Sequence, residues 1–108
     1  KLQLLMSKGI PVIDIRETFE WRETGIIPES HLITFFDENG EYNLKKWLSE
    51  VDTFVSFEKP LILVCRSGRR SLILAKFLSE RGKFRKIYNV TEGIKGWKRA
   101  NLDTQAFF

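Results

Sequence analysis

The chain has 108 residues, 43% of them hydrophobic and 30% charged, which is typical of one globular domain. Nine Phe, three Trp and two Tyr supply enough large apolar side chains for a core that needs neither disulfides nor metals. The formal net charge of +4 is too small and too dispersed to indicate a nucleic-acid partner, and a small anionic substrate fits it equally well. No apolar run approaches the ~20 residues that a membrane-spanning helix needs, so a soluble domain without a membrane partner is expected.

The chain contains one cysteine, Cys65, and one histidine, His31. An internal disulfide is therefore impossible, and the sequence has no Cys/His cluster of the kind that binds zinc. No metal and no organic cofactor is expected. An unpaired thiol that stays reactive favours the reducing cytoplasm, although the periplasm is open if a signal peptide was removed.

The first part of the chain alternates between helical and strand patterns. An apolar-rich segment that ends at Gly9 indicates a short helix, and the β-branched run over residues 11–15 indicates a strand covered on both faces. Residues 18–23 are typical of a short helix, and residues 31–35 predict a second strand. That strand ends at the turn signal of residues 37–40.

The second part of the chain continues the alternation. Asn43 can cap a helix whose apolar side chains recur at helical spacing, and residues 61–64 form the clearest strand. A helix over residues 71–80, a strand over residues 87–90 and a helix from residue 94 to about residue 100 follow. Strands that alternate with helices, without a tight hairpin, predict an α/β fold. We expect one domain over residues 1–108, with a mainly parallel central sheet and helices on both faces.

The segment between the strand at 61–64 and the helix at 71–80 carries the candidate chemistry. Its residues are Cys65, Arg66, Ser67, Gly68, Arg69, Arg70 and Ser71. They follow the carboxyl end of a strand, where open α/β sheets bind ligands. Backbone amides of such a loop and the positive end of the next helix can surround an anion, and Gly68 permits tight curvature. Because guanidinium groups bind oxyanions through paired hydrogen bonds, the segment predicts an anion-binding site.

Cys65 has two interpretations. A lone cysteine after an apolar strand is commonly an inert core residue. The three arginines that follow argue against that interpretation, because charged side chains are rarely buried unless they are paired. Cations and a helix N-terminus also stabilise the thiolate, which is the nucleophilic form of cysteine. The sequence therefore predicts that Cys65 is a nucleophile and that residues 66–71 bind the substrate.

These motifs resemble the rhodanese-like family, which includes single-domain thiosulfate sulfurtransferases. The matching segments are residues 65–71, residues 12–17 with Glu20 and Trp21, residues 25–28, residues 88–90 and residues 92–97. The resemblance covers nearly the whole chain. The turn after Gly25 lacks the family's usual His and Gly-Ala, and Glu92 replaces the first residue of a glycine pair. Neither departure touches the loop at residues 65–71, although both concern the rim at which an acceptor would dock.

The resemblance implies a sulfurtransferase. Cys65 would take a sulfur atom from a small anionic donor such as thiosulfate, form a persulfide, and pass the sulfur to cyanide, a thiol or a protein acceptor. The amides of residues 66–71 would surround first the oxyanion and then the persulfide. Asp14 and Arg16 would have a structural role, and His31 would lie at a strand edge.

Three other functions are compatible with the sequence. Cell-cycle phosphatases that share the rhodanese fold resemble Cys-x5-Arg, whereas Cys65 and Arg70 form a shorter Cys-x4-Arg loop that suits a sulfur atom better than a phosphoryl group. Many rhodanese-like domains are non-catalytic interaction modules that have lost the cysteine, which this chain retains. A persulfide carrier that serves one partner is not distinguished from the enzyme by sequence.

Overall fold

The structure is a computed structural model that describes residues 2–56, 58–82 and 84–108. Over these residues the chain forms four strands and five helices. The strands are β1 (Val12–Asp14), β2 (His31–Leu32), β3 (Leu61–Val64) and β4 (Ile87–Asn89). The helices are α1 (Leu2–Ser7), α2 (Thr18–Thr24), α3 (Leu44–Asp52), α4 (Arg69–Glu80) and α5 (Gly93–Arg99). No helix in the described ranges is long and apolar enough to cross a bilayer.

The strands form one parallel sheet in the order β2-β1-β3-β4. Asp14, the last residue of β1, pairs with Leu32 of β2 and with Val64 of β3, so these strands end at the same edge of the sheet. The predicted α/β fold with a parallel sheet is therefore confirmed. Its topology brings the segments that follow β1, β2 and β3 together at the edge where open sheets bind ligands.

Helices cover both faces of the sheet, as the sequence predicts. All four residues of β3 are buried, and their side chains alternate between two cores. The core that includes residues of α3 and α4 contains Ile13, Leu63, Trp47, Leu74 and Leu78. The core that includes residues of α5 contains Val12, Ile62, Val64, Ile94 and Trp97, and apolar side chains of α1 pack against it. Burial on both faces explains why β3 is a continuous apolar run.

The start of α4 differs from the sequence-based expectation. The apolar pattern predicts a helix from residue 71, but the helix begins at Arg69, immediately after Gly68. Gly68 has a φ of 94°, a left-handed conformation that glycine adopts readily. It turns the chain into the helix two residues earlier than the apolar spacing indicates. Two of the three arginines predicted to lie in a loop are therefore in the first turn of α4.

β2 is shorter than the predicted strand over residues 31–35. After Leu32 the regular pairing ends, although the amides of Ile33 and Phe35 still donate to the carbonyl oxygens of Asp14 and Ile15. The chain thus continues alongside β1 without regular strand geometry. His31 lies in this edge strand and stacks on the Phe54 ring, with 4.3 Å between ring centroids. The expectation that His31 is a strand-edge residue is confirmed.

A completely buried ion pair lies at the end of β1. Asp14 and Arg16 are both inaccessible to solvent, and Nη2 of Arg16 lies 2.8 Å from Oδ2 of Asp14. Nε of Arg16 donates to Oδ1 of Asp14 at 2.9 Å. Arg16 also donates from Nη1 to Thr24 Oγ1 at 2.7 Å and from Nη2 to the carbonyl oxygen of Gly25 at 3.1 Å. Through Arg16 the pair joins the end of α2 to the end of β1, and its structural role stays a prediction that the stability of an Asp14 variant tests.

Asp14→Ala is expected to lower the free energy of unfolding by about 3–5 kcal/mol, because it leaves the Arg16 guanidinium buried without its partner. Urea unfolding followed by circular dichroism measures the change. Asp52→Ala is the control, since Asp52 is an exposed carboxylate at the end of α3. Equal losses of stability in the two variants would show that the buried ion pair contributes no more to the free energy of unfolding than an exposed carboxylate does.

Candidate active site

Cys65 follows β3 directly, and three hydrogen-bond donors surround its sulfur. The amides of Gly68 and Ser71 lie 3.2 Å and 3.4 Å from Sγ, and the Ser71 hydroxyl lies 3.3 Å from it. Cys65 is only 1% exposed, so these donors replace solvent around the sulfur. Donors that converge on one buried atom suit a negatively charged sulfur, because each directs a positive dipole at it.

The two residues at the start of the loop are bonded to the N-terminus of α5. The amide of Ile94 donates to the carbonyl oxygen of Cys65 at 2.9 Å, and the amide of Lys95 donates to that of Arg66 at 3.1 Å. These amides are among the first of the helix, which lack partners within it. These two hydrogen bonds fix the backbone of Cys65 and Arg66, and so the position of the Cys65 side chain.

Two glycines permit this close approach of backbone to backbone. A Cβ atom at Gly68 would lie 2.0 Å from the carbonyl oxygen of Thr91. A Cβ atom at Gly93 would lie 2.4 Å from the carbonyl oxygen of Cys65. Because both obstructing atoms belong to the backbone, a side chain at either position requires the loop or the facing turn to move.

A buried polar network continues from the sulfur to the end of β4. The Ser71 hydroxyl contacts the carbonyl oxygen of Gly68 at 3.3 Å and also contacts Oδ1 of Asn89. Nδ2 of Asn89 donates to the same Gly68 carbonyl at 3.3 Å. The hydroxyl has one proton and three acceptors within reach, including Sγ of Cys65. Asn89 therefore holds Ser71 in place beside the sulfur.

The three arginines differ in their surroundings. Arg70 forms a two-bond ion pair with Glu20 of α2, with 2.9 Å from Nη1 to Oε2 and 2.6 Å from Nη2 to Oε1. The Arg66 and Arg69 side chains are exposed, and no hydrogen bond or ion pair engages their guanidinium groups within the described part of the chain. Of the three predicted anion-binding arginines, one is thus committed to a protein carboxylate and two face solvent.

The Glu20–Arg70 pair changes the titration of both side chains. Burial favours the neutral form of Glu20, but the hydrogen bonds from Arg70, the amide of Glu17 at 3.0 Å and nearby positive charge outweigh it. The pKa of Glu20 therefore lies below its ordinary value of 4.5. The pKa of Arg70 is raised, chiefly by its hydrogen bonds to Glu20, and the nearby Cys65 sulfur contributes in the same direction.

Three residues that complete the site were not assigned to it from the sequence: Glu20, Asn89 and Gly93. Glu20 belongs to a motif of the resemblance, but its partner Arg70 is 50 residues away. Asn89 is a polar residue at the end of a strand, and nothing in the sequence around it indicates that it contacts Ser71. The tight contact at Gly93 becomes evident only when α5 is placed against the loop.

Residues 1–100 match the family described as rhodanese-like domain. The chain belongs to this family. A thiosulfate sulfurtransferase, GlpE, of Actinobacillus pleuropneumoniae is 30% identical over 106 residues, which cover 98% of this chain and 87% of GlpE. The uncharacterized protein RP600 of Rickettsia prowazekii is 30% identical over 115 residues, which cover 94% of this chain and 88% of RP600. Rhodanese-like membership and the GlpE relative support sulfurtransferase chemistry at the level of the family.

Solved structures of rhodanese-like and related proteins share the fold. Rv0390 from M. tuberculosis superimposes with a TM-score of 0.74 at 23% identity, over 98% of this chain and 92% of that one. A rhodanese-like domain protein from Staphylococcus aureus has a TM-score of 0.66 at 24% identity, over 97% of this chain and 90% of that one. At these identities the likeness shows the fold alone.

Gly68→Ala is expected to destabilise the protein by about 1–3 kcal/mol more than Gly9→Ala, because only the former places a methyl group against backbone. The two glycines have similar φ angles, 94° and 82°, and the space around Gly9 is open. Both variants therefore share the strain of a left-handed alanine, and their difference isolates the clash. Urea unfolding gives both values. Equal destabilisation would contradict the tight contact with Thr91.

Glu20→Gln is expected to reduce stability most near neutral pH. A carboxylate whose pKa is lowered by folding contributes stability above its ordinary pKa and loses it as pH falls through the lowered value. The difference in unfolding free energy between wild type and Glu20→Gln should therefore shrink on acidification from neutrality to about pH 3. Glu23→Gln, at an exposed position of the same helix, is the control. A difference that stays constant with pH would contradict this account of the Glu20–Arg70 pair.

Proposed function

We propose that this rhodanese-like protein is a sulfurtransferase that carries sulfane sulfur on Cys65 as a persulfide. The observation that carries the proposal is the convergence of two backbone amides on Sγ of Cys65, with the Ser71 hydroxyl 3.3 Å from the same atom. Such an environment suits a thiolate before the reaction and as the leaving group after it. The family membership and the relative named thiosulfate sulfurtransferase support thiosulfate, or a similar small anion, as the donor.

In the first step the Cys65 thiolate attacks the outer sulfur of thiosulfate. A new S–S bond forms at Sγ, the S–S bond of thiosulfate breaks, and sulfite leaves with the bonding electrons. In the second step a nucleophilic acceptor attacks the outer sulfur of the persulfide, and Cys65 leaves as the thiolate. The cycle needs no metal and no organic cofactor.

We assign the backbone of residues 66–71 to binding of both the donor and the persulfide. The outer sulfur of a persulfide lies about 2 Å beyond Sγ and would need hydrogen-bond donors of its own. The amides of Arg69 and Arg70 belong to the first turn of α4 and precede its first intrahelical bond, from Leu72 to Gly68. They are free of helix partners and can receive the added negative charge. The exposed Arg66 and Arg69 side chains would attract the anionic donor.

The arrangement favours sulfur transfer over phosphate-ester hydrolysis. Four residues separate Cys65 from Arg70, and both terminal nitrogens of Arg70 are already bonded to Glu20. A phosphoryl group would need that guanidinium to be released from its partner. The retained cysteine and its donors also favour an active site over a purely non-catalytic binding module.

Brief exposure of the reduced protein to thiosulfate is expected to add the mass of one sulfur atom at Cys65, and cyanide should then remove it as thiocyanate. Intact-mass spectrometry and peptide mapping measure both steps. Cys65→Ser should gain no sulfur, because a hydroxyl is a poor nucleophile without a general base beside it. The variant should keep the fold.

Each alternative function gives a different result in this experiment. Failure of the reduced wild type to gain sulfur would overturn the proposal and favour an interaction module. Hydrolysis of an aryl phosphate without a sulfur adduct would indicate a phosphatase. A persulfide that forms but is released only slowly to cyanide would indicate a carrier with a dedicated acceptor.

A further inference from the structure

The side of α4 that faces solvent carries two apolar and two cationic side chains. Its buried residues are Ser71, Leu74, Ala75 and Leu78. Arg69, Leu72, Ile73 and Lys76 lie on the opposite side at spacings of three, four and seven residues, and all four are exposed. Leu72 and Ile73 are 43% and 53% exposed, so the two adjacent aliphatic side chains form an apolar patch on the surface of α4. We call these four residues, together with the exposed Arg66, the α4 face.

The charge of the α4 face is positive and unpaired. Within the described residues, no ion pair or hydrogen bond engages the side chains of Arg66, Arg69 and Lys76. Glu20, which lies beside the first turn of α4, is bound to Arg70, and Glu17 also acts on Arg70. The acidic residue on this side of the helix is Glu80, at its far end. A complementary surface would therefore carry apolar side chains bordered by carboxylates.

The α4 face begins next to the sulfur that the proposed function transfers. Arg66 follows Cys65 directly, Arg69 follows Gly68, whose amide lies 3.2 Å from Sγ, and Leu72 and Ile73 lie about one turn further along α4. Helical side chains lean toward the N-terminus of their helix, so these two lean toward the loop. Cys65 is almost completely enclosed, so an acceptor must be held against the loop to reach the outer sulfur. A surface beside the loop supplies that contact.

We propose that the α4 face is the docking surface for a protein acceptor of sulfur, whose cysteine lies among apolar side chains bordered by Asp or Glu. This inference rests on the proposed function. The acceptor's thiolate attacks the outer sulfur of the Cys65 persulfide, the S–S bond to Sγ breaks, and Cys65 leaves as the thiolate. The acceptor then holds the persulfide, and no oxidant or reductant is consumed.

An anionic membrane would also attract an apolar and basic surface. The position of the face favours a protein, because the adjoining persulfide needs a nucleophile and lipid headgroups offer no thiol. Binding to anionic lipid vesicles is therefore the competing outcome that the experiment must exclude.

The test begins with wild-type protein loaded with sulfur from thiosulfate and freed of excess donor. Three synthetic peptides of equal length, each with one cysteine, serve as acceptors. In the first peptide, leucine and aspartate flank the cysteine; in the second, lysine replaces aspartate; in the third, serine replaces leucine. Mass spectrometry follows sulfur transfer to each. The first peptide should react about tenfold faster than either other one, a difference equal to ~1.4 kcal/mol, and added salt should reduce its advantage.

Two variants test whether the faster transfer to the first peptide depends on the α4 face. Leu72→Ser/Ile73→Ser and Lys76→Glu should each slow transfer to the first peptide by about tenfold while leaving removal of sulfur by cyanide unchanged. Leu4→Ser is the matched control, since Leu4 is an exposed aliphatic residue of α1. Lys76→Glu exchanges one exposed charge for another, so it provides the test even if the double variant fails to fold.

The outcomes separate the two proposals. If no persulfide forms, the proposed function fails before any peptide is added. If the persulfide forms and cyanide removes it, but all three peptides react equally or both variants match wild type, the docking surface is overturned alone. Binding of wild type to phosphatidylserine vesicles that Lys76→Glu abolishes, together with equal peptide rates, would assign the face to lipid and also overturn it.

Discussion

The candidate site depends on the close approach of two backbone turns, at residues 65–68 and 90–95. Amides in the first turn of α5 bind the carbonyl oxygens that begin the loop, and neither Gly68 nor Gly93 has room for a Cβ atom. Because these contacts are made by the backbone, they fix the position of Cys65 whatever side chains surround it. The same contacts place its sulfur at the N-terminus of α4, where unpaired amides are available.

Two ion pairs then fix α2 between the sheet and the loop. Arg16, held by Asp14, donates a hydrogen bond to Thr24 at the end of α2, and Glu20 within α2 binds Arg70 of α4. A displacement of α2 would break the Arg16–Thr24 hydrogen bond or the Glu20–Arg70 pair, so the helix couples the end of β1 to the start of α4. The arrangement also withdraws Arg70 from direct ligand binding, since both its terminal nitrogens are occupied.

Local patterns in the sequence predict the strands, the parallel sheet and the position of the cysteine loop. β3 is the clearest case, because burial on both faces requires an uninterrupted apolar run. The contacts around the loop are not predictable in this way. Glu20 and Arg70 are 50 residues apart, and Asn89 of β4 contacts Ser71 of α4, 18 residues before it. Spacing along the chain indicates which face of an element is buried, whereas such pairings depend on how separate elements are packed.

The structure separates the charges that act on the sulfur from those that face solvent. Backbone amides and one hydroxyl contact Sγ, and they need no arginine side chain to do so. Arg66 and Arg69 therefore remain exposed without protein partners among the described residues. Amide dipoles act on a buried atom where water does not screen them, while exposed cations act over about a Debye length. In the proposed cycle, the amides would then set the reactivity of the sulfur, and the exposed cations would set which donors and acceptors reach it.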